Sequence, residues 1–281
     1  MWSVYDAVGR EIQRLPLAER PIFGVTSLDN HLYVLRGNKS SEQVAIYDID
    51  SYRLQRYLTV CRLGIAYDIV ACAHNRCAYI SDWEHNSVHK IPLSDDTITH
   101  WPVNDKLHGL SVSLTHGVLV TCPVARKIKE FSTDGQLLLK VALPDDVVSP
   151  FHSVQLSSGE FIVCHGDVND PLLHRVCLIS SDGHVVKSFG GPKGSSNQQM
   201  TTPIRLAVDK NEFVFVADMN NHRVLLLSPS LTFVRQVLSL EQLSGWPLSV
   251  HLDVNRQLLY VAEGVNEDGK WTDGRVVVFS V

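Results

Sequence analysis

Short apolar runs separated by turn-forming residues follow one another along the whole chain. The clearest run spans Phe213 to Ala217, ends in Asp218, passes through a polar turn and starts again at Arg223. Apolar residues that alternate with polar ones over a few positions predict half-buried β-strands. No segment keeps the apolar period of about 3.6 residues that an amphipathic helix requires. The sequence therefore predicts an all-β protein with almost no helix.

The strand pattern is repeated as a larger unit. The unit that contains Asp218 starts at Pro203, and a second good copy starts at Pro247. Weaker copies start near residues 23, 67, 108 and 151. Each unit closes with one more β-like run after a turn, such as Asp182-Gly183, a dipeptide typical of hairpins. Six units of four short strands, with a period of about 40 to 50 residues, predict a six-bladed β-propeller.

The two ends of the chain predict how the ring closes. The last unit stops after its third strand, whereas residues 11–15 form a β-like run that belongs to no unit. Pairing these two segments would cover sheet edges that are otherwise exposed. We therefore expect residues 1–281 to form a single propeller domain in which the N-terminal strand completes the last blade.

Composition narrows the class of protein. Hydrophobic residues make up 44% of the chain and the net charge is −5, which is typical of a well-packed soluble protein. No apolar run reaches the roughly 18 to 20 residues of a membrane helix, and the first residues lack the basic start and apolar core of a secretory signal. The six cysteines form no paired framework, and most lie in apolar runs. We expect a monomeric cytoplasmic protein with reduced thiols.

The unit at residues 203–227 resembles the NHL-repeat propellers of the tripartite-motif kind and, more distantly, the propellers of amidating lyases. The matching positions are Pro203, Ala207-Val208-Asp209, Val216-Ala217-Asp218 and Asn221-His222-Arg223-Val224. Arg205 stands where the family repeat has a glycine. The resemblance implies that Asp218, Asn221 and Arg223 brace a turn that recurs in every blade. We therefore assign these three residues to blade architecture rather than to catalysis.

The start of the first strand differs among the six units and offers a candidate site. In our register this position holds Phe23, Asp68, His108, His152, Ile204 and Leu248. Imidazole and carboxylate groups that converge on a channel mouth can hold a divalent metal such as zinc or calcium. The pattern predicts that Asp68, His108 and His152 point into one end of the channel, within reach of a common ion or water.

Three further polar residues are candidates for the same site. Tyr67 is a candidate proton donor, Arg205 an anion clamp and His165 a third imidazole. The alternative for all six polar residues is that they bind water or cap turns in the channel lining.

The resemblance to tripartite-motif propellers implies a protein or RNA partner on one face. RNA binding needs basic residues among aromatic ones. The candidates are Arg36-Gly37-Asn38-Lys39, Arg126, Lys127 and Lys129, with Trp83 and Trp101 nearby in sequence. Acidic residues outnumber basic ones, 30 to 25, and a propeller face can dock a protein without special chemistry. We therefore favour a non-enzymatic scaffold that binds a protein, with RNA as a further candidate and no cofactor. The alternative is a metal-assisted lyase or hydrolase with its site at the channel mouth.

Overall fold

A computed structural model shows six antiparallel four-stranded sheets arranged as the blades of a β-propeller, as the sequence predicts. The structure describes residues 10–15, 20–37, 43–93, 97–167, 169, 171–267 and 270–281. The first strands of consecutive blades contact one another in sequence order, and the first strand of blade 6 contacts that of blade 1. Blades 2 and 5 therefore lie on opposite sides of the ring.

The chain enters the ring with β1 (Glu11–Arg14) and then forms the first three blades. Blade 1 contains β2 (Ile22–Leu28), β3 (His31–Arg36), β4 (Val44–Asp48) and β5 (Leu54–Leu58). Blade 2 contains β6 (Ala66–Cys72), β7 (Cys77–Asp82), β8 (Ser87–Pro92) and β9 (Thr99–Pro102). Blade 3 contains β10 (Leu110–Val112), β11 (Val118–Cys122), β12 (Lys127–Phe131) and β13 (Leu137–Ala142).

The second half of the chain repeats this order. Blade 4 contains β14 (Pro150–Gln155), β15 (Phe161–His165), β16 (His174–Ile179) and β17 (Val185–Gly191). Blade 5 contains β18 (Pro203–Val208), β19 (Val214–Asp218), β20 (Arg223–Leu227) and β21 (Phe233–Leu238). Blade 6 contains β22 (Trp246–Asp253), β23 (Leu258–Glu267) and β24 (Lys270–Ser280). Over the described residues the helical content is one 3-10 turn, Met219–Asn221, and no helix is long and apolar enough to cross a membrane.

The N-terminal strand closes the ring, which confirms the predicted closure. β1 pairs antiparallel with β24, with Glu11 opposite Phe279 and Arg14 opposite Val277. The Leu15 amide continues the ladder by donating to the Val276 carbonyl at 2.9 Å. β1 thus becomes the outer strand of blade 6 and covers an edge that would otherwise be open to other chains.

The core lies between the faces of neighbouring blades. In blade 5, Phe215 and Leu226 pack with residues of blade 6, whereas Val216 and Leu225 pack with residues of blade 4. The second and third strands are therefore buried on both faces, and all five residues of β19 are buried. This explains why the middle strands read as continuous apolar runs, while outer strands such as β5 are mostly exposed.

Candidate functional site at the channel mouth

The first strand of each blade begins with an extra residue that the second strand does not match. In β18, Pro203 pairs with Asp218 and Arg205 pairs with Ala217, so Ile204 forms a β-bulge. In blade 3 the His108 amide donates to the Thr121 carbonyl, and the Thr121 amide donates to the Gly109 carbonyl, so His108 takes the same position. The bulge residues, here called the mouth ring, are Phe23, Tyr67, His108, Phe151, Ile204 and Leu248. The residues after them, the inner ring, are Gly24, Asp68, Gly109, His152, Arg205 and Ser249.

This geometry corrects our register at the start of the strands. We placed Asp68, His108 and His152 at one equivalent position, but Asp68 and His152 belong to the inner ring and His108 to the mouth ring. The equivalents of His108 in the adjacent blades are Tyr67 and Phe151. The error arises because a bulge adds one residue to a strand without changing its apolar pattern, so the sequence does not show where the pairing shifts.

Arg205 lies at the centre of the polar residues that converge on the channel. Its side chain is 2% exposed and extends from blade 5 to the opposite blade 2. One terminal nitrogen donates to the Tyr67 carbonyl, and the other donates to the Ile204 carbonyl at 3.1 Å and to His108 Nδ1 at 3.0 Å. Its Nε lies 3.4 Å from Asp68 Oδ1. Because arginine only donates hydrogen bonds, His108 Nδ1 must be the acceptor.

Asp68 is the buried partner of this arginine. Its Oδ2 accepts the Leu110 amide at 2.7 Å, and its Oδ1 accepts its neighbour's amide, that of Ile69, at 3.0 Å. Burial raises the pKa of Asp68, while the charge of Arg205 and the two amides act in the opposite direction. The carboxylate therefore links blade 2 to blade 3 through a backbone hydrogen bond and to blade 5 through Arg205.

The two histidines of the cluster are held in the neutral form. Burial, assisted by the charge of Arg205, lowers the pKa of His152 to about 3 and that of His108 well below its ordinary value. His152 Nε2 donates to the Leu110 carbonyl at 2.9 Å. Gly109 leaves room for this ring, because a Cβ there would lie 2.6 Å from His152 Cδ2. Both imidazoles thus act as neutral hydrogen-bonding groups between neighbouring blades.

The residues of the predicted metal site are bound by protein groups in this structure and are not gathered around one ion position. The guanidinium of Arg205 occupies the position between Asp68 and His108 that a cation would need, and it already uses His108 Nδ1. His152 Nε2 carries the proton that it donates to a carbonyl, so this nitrogen has no lone pair for a metal. Within the part of the chain that the structure describes, no group of three or more His, Cys, Asp or Glu side chains is arranged as metal ligands. We therefore derive no chemistry through zinc or calcium at this site.

Tyr67 forms part of an aromatic wall above the arginine. Its ring stacks on His108 with a centroid distance of 4.7 Å and meets Phe23 and Trp83 edge-on at 5.7 and 5.8 Å. Burial raises the pKa of Tyr67, so its hydroxyl stays protonated at neutral pH. The structure thus brings Tyr67, Asp68, His108, His152 and Arg205 to one end of the channel.

His165 lies outside this cluster. It ends the second strand of blade 4, opposite Pro150, and its Nε2 accepts the Arg175 Nε–H at 3.3 Å and lies 3.4 Å from Cys177 Sγ. Burial lowers the pKa of His165 to about 4 and raises that of the Cys177 thiol to about 12. This pair is an inert contact inside one blade, because a thiol with so high a pKa is not a nucleophile at neutral pH.

His165 pairs with the first residue of the first strand in blade 4, a position that we call the blade corner. In blade 5 this position holds Asp218. The Asp218 carboxylate accepts Asn221 Nδ2 at 2.7 Å, Arg223 Nε at 2.8 Å and the Thr201 amide at 2.7 Å. Arg223 also donates to three backbone carbonyls of the loop at residues 192–202, which joins β17 to β18. These carbonyls belong to Ser195, Ser196 and Gln199. The cluster connects a turn to a loop and presents no free acid or base.

Other blades repeat this corner with different side chains. Asp82 accepts the Gly64 amide at 2.9 Å, and Glu263 accepts the Gly245 amide at 3.1 Å. As with Thr201, each amide lies two residues before the first-strand residue that pairs with the acidic residue, namely Pro203, Ala66 or Pro247. A carboxylate at this position of the second strand therefore fixes the loop that enters the blade, which is a structural role.

An apolar pocket lies above Arg205 and opens on the face that carries the mouth ring. This mouth pocket has a volume of about 160 Å³. Its apolar lining consists of Phe23, Tyr67, Ile204, Met219, Leu248 and Trp271. Arg205 also lines the channel cavity of about 230 Å³ below, so its side chain separates the two spaces.

A larger groove adjoins the mouth pocket across blades 2 to 4. It encloses about 440 Å³ and shares Tyr67 and His108 with the pocket. Its other main walls are Trp83, Pro123, Val124 and Phe151, with Asp167 at one side. We call it the side groove. Tyr67, His108 and Trp83 were candidates from the sequence. The other lining residues come from separate loops and, for Phe151, from a strand bulge, so a pattern of alternating residues gave no signal for them.

Two of the basic residues considered for RNA, Arg126 and Lys129, are paired with acidic residues. Arg126 pairs with Asp145 at 2.6 Å, and Lys129 is buried and pairs with Asp105 at 2.7 Å. Trp101 is also buried, in the core between blades 2 and 3. Asn38 and Lys39 lie outside the described residues. Trp83 is the one candidate aromatic residue that lines the groove.

The likeness of the chain to known proteins is one of fold. No protein-family model matches the chain, and no curated protein matches it. A virginiamycin B lyase from Staphylococcus aureus is 10% identical, with a TM-score of 0.65 over 96% of this chain and 98% of that one. A chain of a nidogen/laminin complex is 13% identical, with a TM-score of 0.63 over 84% and 93%. A protein of unknown function from Bacteroides caccae is 16% identical, with a TM-score of 0.65 over 85% and 84%. These neighbours include a lyase and a protein without known function, so they do not choose between catalysis and binding; the chain is a six-bladed β-propeller.

Proposed function

We propose that this propeller is a non-enzymatic interaction module of the NHL type that binds a polypeptide partner on the face carrying the mouth ring. The observation that carries the proposal is a concave, partly exposed aromatic and aliphatic surface, formed by the mouth pocket and the side groove. Val124, at the rim of the groove, is 73% exposed. Connected apolar surface in a concavity is typical of binding sites, whereas single exposed apolar residues are ordinary.

The polar residues below this surface support binding over catalysis. A general acid or base needs a pKa near the working pH and access to substrate. His108 and His152 have strongly lowered pKa values, are buried, and bond to Arg205 and to a backbone carbonyl. Asp68 is buried beneath the same arginine. These three groups stabilise the channel, and none of them is free to act as an acid or base towards the pocket.

The charge of the side groove favours protein over RNA. Asp167 is the charged residue among its described lining residues, and a carboxylate repels phosphate. RNA-binding surfaces combine stacking aromatic rings with cations for the backbone. The side groove supplies Trp83 and Phe151 for stacking, and its charged lining residue is an acid. The cation next to Trp83, Lys106, lies over the indole ring and donates to the Trp83 carbonyl at 2.9 Å, so it is already engaged. A polypeptide with apolar side chains and a basic residue matches this surface better.

The proposal is tested by selecting ligands and mapping where they bind. Random-peptide display against the intact protein should yield peptides whose affinity, measured by calorimetry, falls at least tenfold in Val124→Asp and in Trp83→Ala. The matched control is Val186→Asp, which puts the same charge on an exposed valine of an outer strand. Peptides that bind both groove variants as tightly as the parent would overturn the proposal. So would salt-sensitive capture of a random single-stranded RNA pool that Trp83→Ala abolishes, because RNA would then be the ligand of this face.

A further inference from the structure

The floor of the mouth pocket is an arginine whose charge is already paired. The terminal nitrogens of Arg205 donate to two backbone carbonyls and to His108, and its Nε lies 3.4 Å from Asp68 Oδ1. The Asp68 carboxylate therefore compensates the charge of the guanidinium. A ligand carboxylate would compete with Asp68 for this guanidinium, so the pocket disfavours anions.

The walls and the size of the pocket indicate an aromatic occupant. Phe23, Tyr67 and Trp271 provide three aromatic faces, and Ile204, Met219 and Leu248 complete the lining. The volume of about 160 Å³ is close to the roughly 150 Å³ of an apolar cavity that accommodates benzene. Aromatic rings in contact prefer offset or edge-on packing, and the edge-on pair of Phe23 and Tyr67 already shows such a geometry. One six-membered ring fits this space.

The side groove adds a charge requirement next to the ring. The Asp167 carboxylate accepts the Ser149 hydroxyl at 3.2 Å and the Asn169 amide at 2.8 Å, which fix its orientation with neutral groups. It lies in a groove that is otherwise mostly apolar and that shares Tyr67 and His108 with the mouth pocket. A cationic side chain beside the aromatic one would pair with it.

We propose that the mouth pocket is the anchor site for a phenylalanine side chain of the partner polypeptide, and that a neighbouring lysine or arginine of the partner pairs with Asp167. This inference rests on the proposed function, because it specifies the partner of the same face. Buried aromatic anchors commonly supply most of the affinity of an interface. The partner segment is therefore defined by one phenyl ring and one positive charge in adjacent positions.

The first test fills the pocket. Ile204→Trp and Met219→Trp both place a bulky ring at its wall, and Leu240→Trp is the control at an exposed leucine of a surface turn. Peptides selected on the parent protein should contain phenylalanine and lose at least tenfold in affinity for the two filled variants, with no loss for the control. Two filling variants are used because either substitution can perturb the fold. Thermal unfolding shows which variant is still folded, and binding is compared for that variant.

The second test uses the ligand and the charge. Replacing the peptide phenylalanine by alanine should weaken binding at least tenfold. Asp167→Asn, which keeps the size of the side chain, should weaken binding about fivefold at low salt and reduce its salt dependence. N-acetyl-phenylalaninamide alone should shift the NMR signals of Trp271 and the Met219 methyl group, and N-acetyl-alaninamide should not.

The outcomes separate the two proposals. Peptides that require Val124 and Trp83 but are insensitive to pocket filling would overturn the phenylalanine anchor and leave the interaction module standing. A phenylalaninamide probe that binds the pocket when no peptide binds the face would overturn the interaction module, and the pocket would then be a small-molecule site. Selected peptides that carry an acidic residue instead of a basic one would overturn the role of Asp167.

Discussion

Two buried arginine–aspartate pairs show how differently one kind of contact can be used in this propeller. Arg223 bonds Asp218 five residues away, within a single blade, and braces a turn and a loop. Arg205 reaches Tyr67, 138 positions earlier in the chain, and the adjacent Asp68 on the opposite side of the ring. The first pair holds together parts of one blade. The second connects units that share no core.

The difference lies in what surrounds each arginine. The carbonyls that Arg223 contacts belong to partly exposed loop residues that can turn towards water. Arg205 is enclosed by the channel, and its loss would leave Asp68 buried beside two neutral histidines. Local polar contacts are therefore expected to be replaceable, whereas the contact across the ring is not. The following experiments test this comparison.

Opening the ring should have the largest effect. Removal of residues 1–17 deletes β1 and the buried Leu15, which leaves blade 6 with three strands and the β24 edge uncovered. We expect the free energy of unfolding to fall by about 5 kcal/mol, from lost backbone hydrogen bonds and apolar burial. Urea denaturation measures this value. Unchanged unfolding after the truncation would show that β1 does not close the ring.

Arg205→Ala should destabilise the protein by about 3 to 5 kcal/mol, because one member of a buried ion pair is left without its partner. Denaturant unfolding of the variant and of its control measures the loss. The control is the double variant Arg205→Leu with Asp68→Leu, which removes both charges. It should recover more than half of the unfolding free energy that Arg205→Ala loses. An Arg205→Ala protein as stable as the parent would mean that the contact across the ring contributes nothing.

Arg223→Ala should cost less, about 1 to 3 kcal/mol, because Asp218 keeps the Asn221 and Thr201 donors and the loop carbonyls can bind water. Peptide binding at the mouth ring should be unchanged, since the corner lies outside the pocket and the groove. Thermal unfolding and calorimetry measure the two properties. A variant that folds as well as the parent but no longer binds would make the corner functional.

The smallest effect concerns pH. The pKa of His152 is about 3 in the folded protein and 6.5 ordinarily, so the unfolded chain takes up a proton first as the pH falls. The buried neutral His152 therefore lowers the free energy of unfolding as the pH falls from about 6.5 to about 3. The decrease is roughly 1 kcal/mol between pH 7 and pH 5.5. His152→Gln should show a correspondingly smaller decrease in unfolding free energy over that interval. His184→Gln, at an exposed position, controls for the substitution; an unchanged pH dependence in His152→Gln would contradict the buried neutral imidazole.

The sequence was sufficient for the fold because the signals for it are local. Turn dipeptides, apolar runs and the repeat around Asp218 all lie within a few tens of residues. The unassigned β-like run at residues 11–15 indicated the closure that the pairing of β1 with β24 provides. The polar corner was also readable, because Asp218, Asn221 and Arg223 are neighbours in sequence.

The site was only partly readable because its geometry depends on bulges and on contacts across the ring. Asp68, His108 and His152 were found, but their register was wrong, and the sequence did not indicate that Arg205 contacts both His108 and Asp68. No periodicity in the sequence indicates that a side chain in blade 5 ends against blade 2. The rest of the aromatic walls, beyond Tyr67 and Trp83, was missed for the same reason, since Phe151 and Trp271 reach one face from different blades.

The pairing of β1 with β24 also has a consequence for how the protein is made. About 259 residues separate Glu11 from Lys270, so at roughly 5 to 20 residues per second the ribosome needs on the order of 13 to 50 seconds between emergence of the two strands. During that time blades 1 to 5 can form, while β1 has no partner and the first strand of blade 1 lacks its neighbour in blade 6. Such late, long-range pairing is slow, and it leaves apolar surface open to other chains. Three of the four side chains of β1 are polar or charged, namely Glu11, Gln13 and Arg14. They help to keep the unpaired strand soluble until β24 has been synthesised.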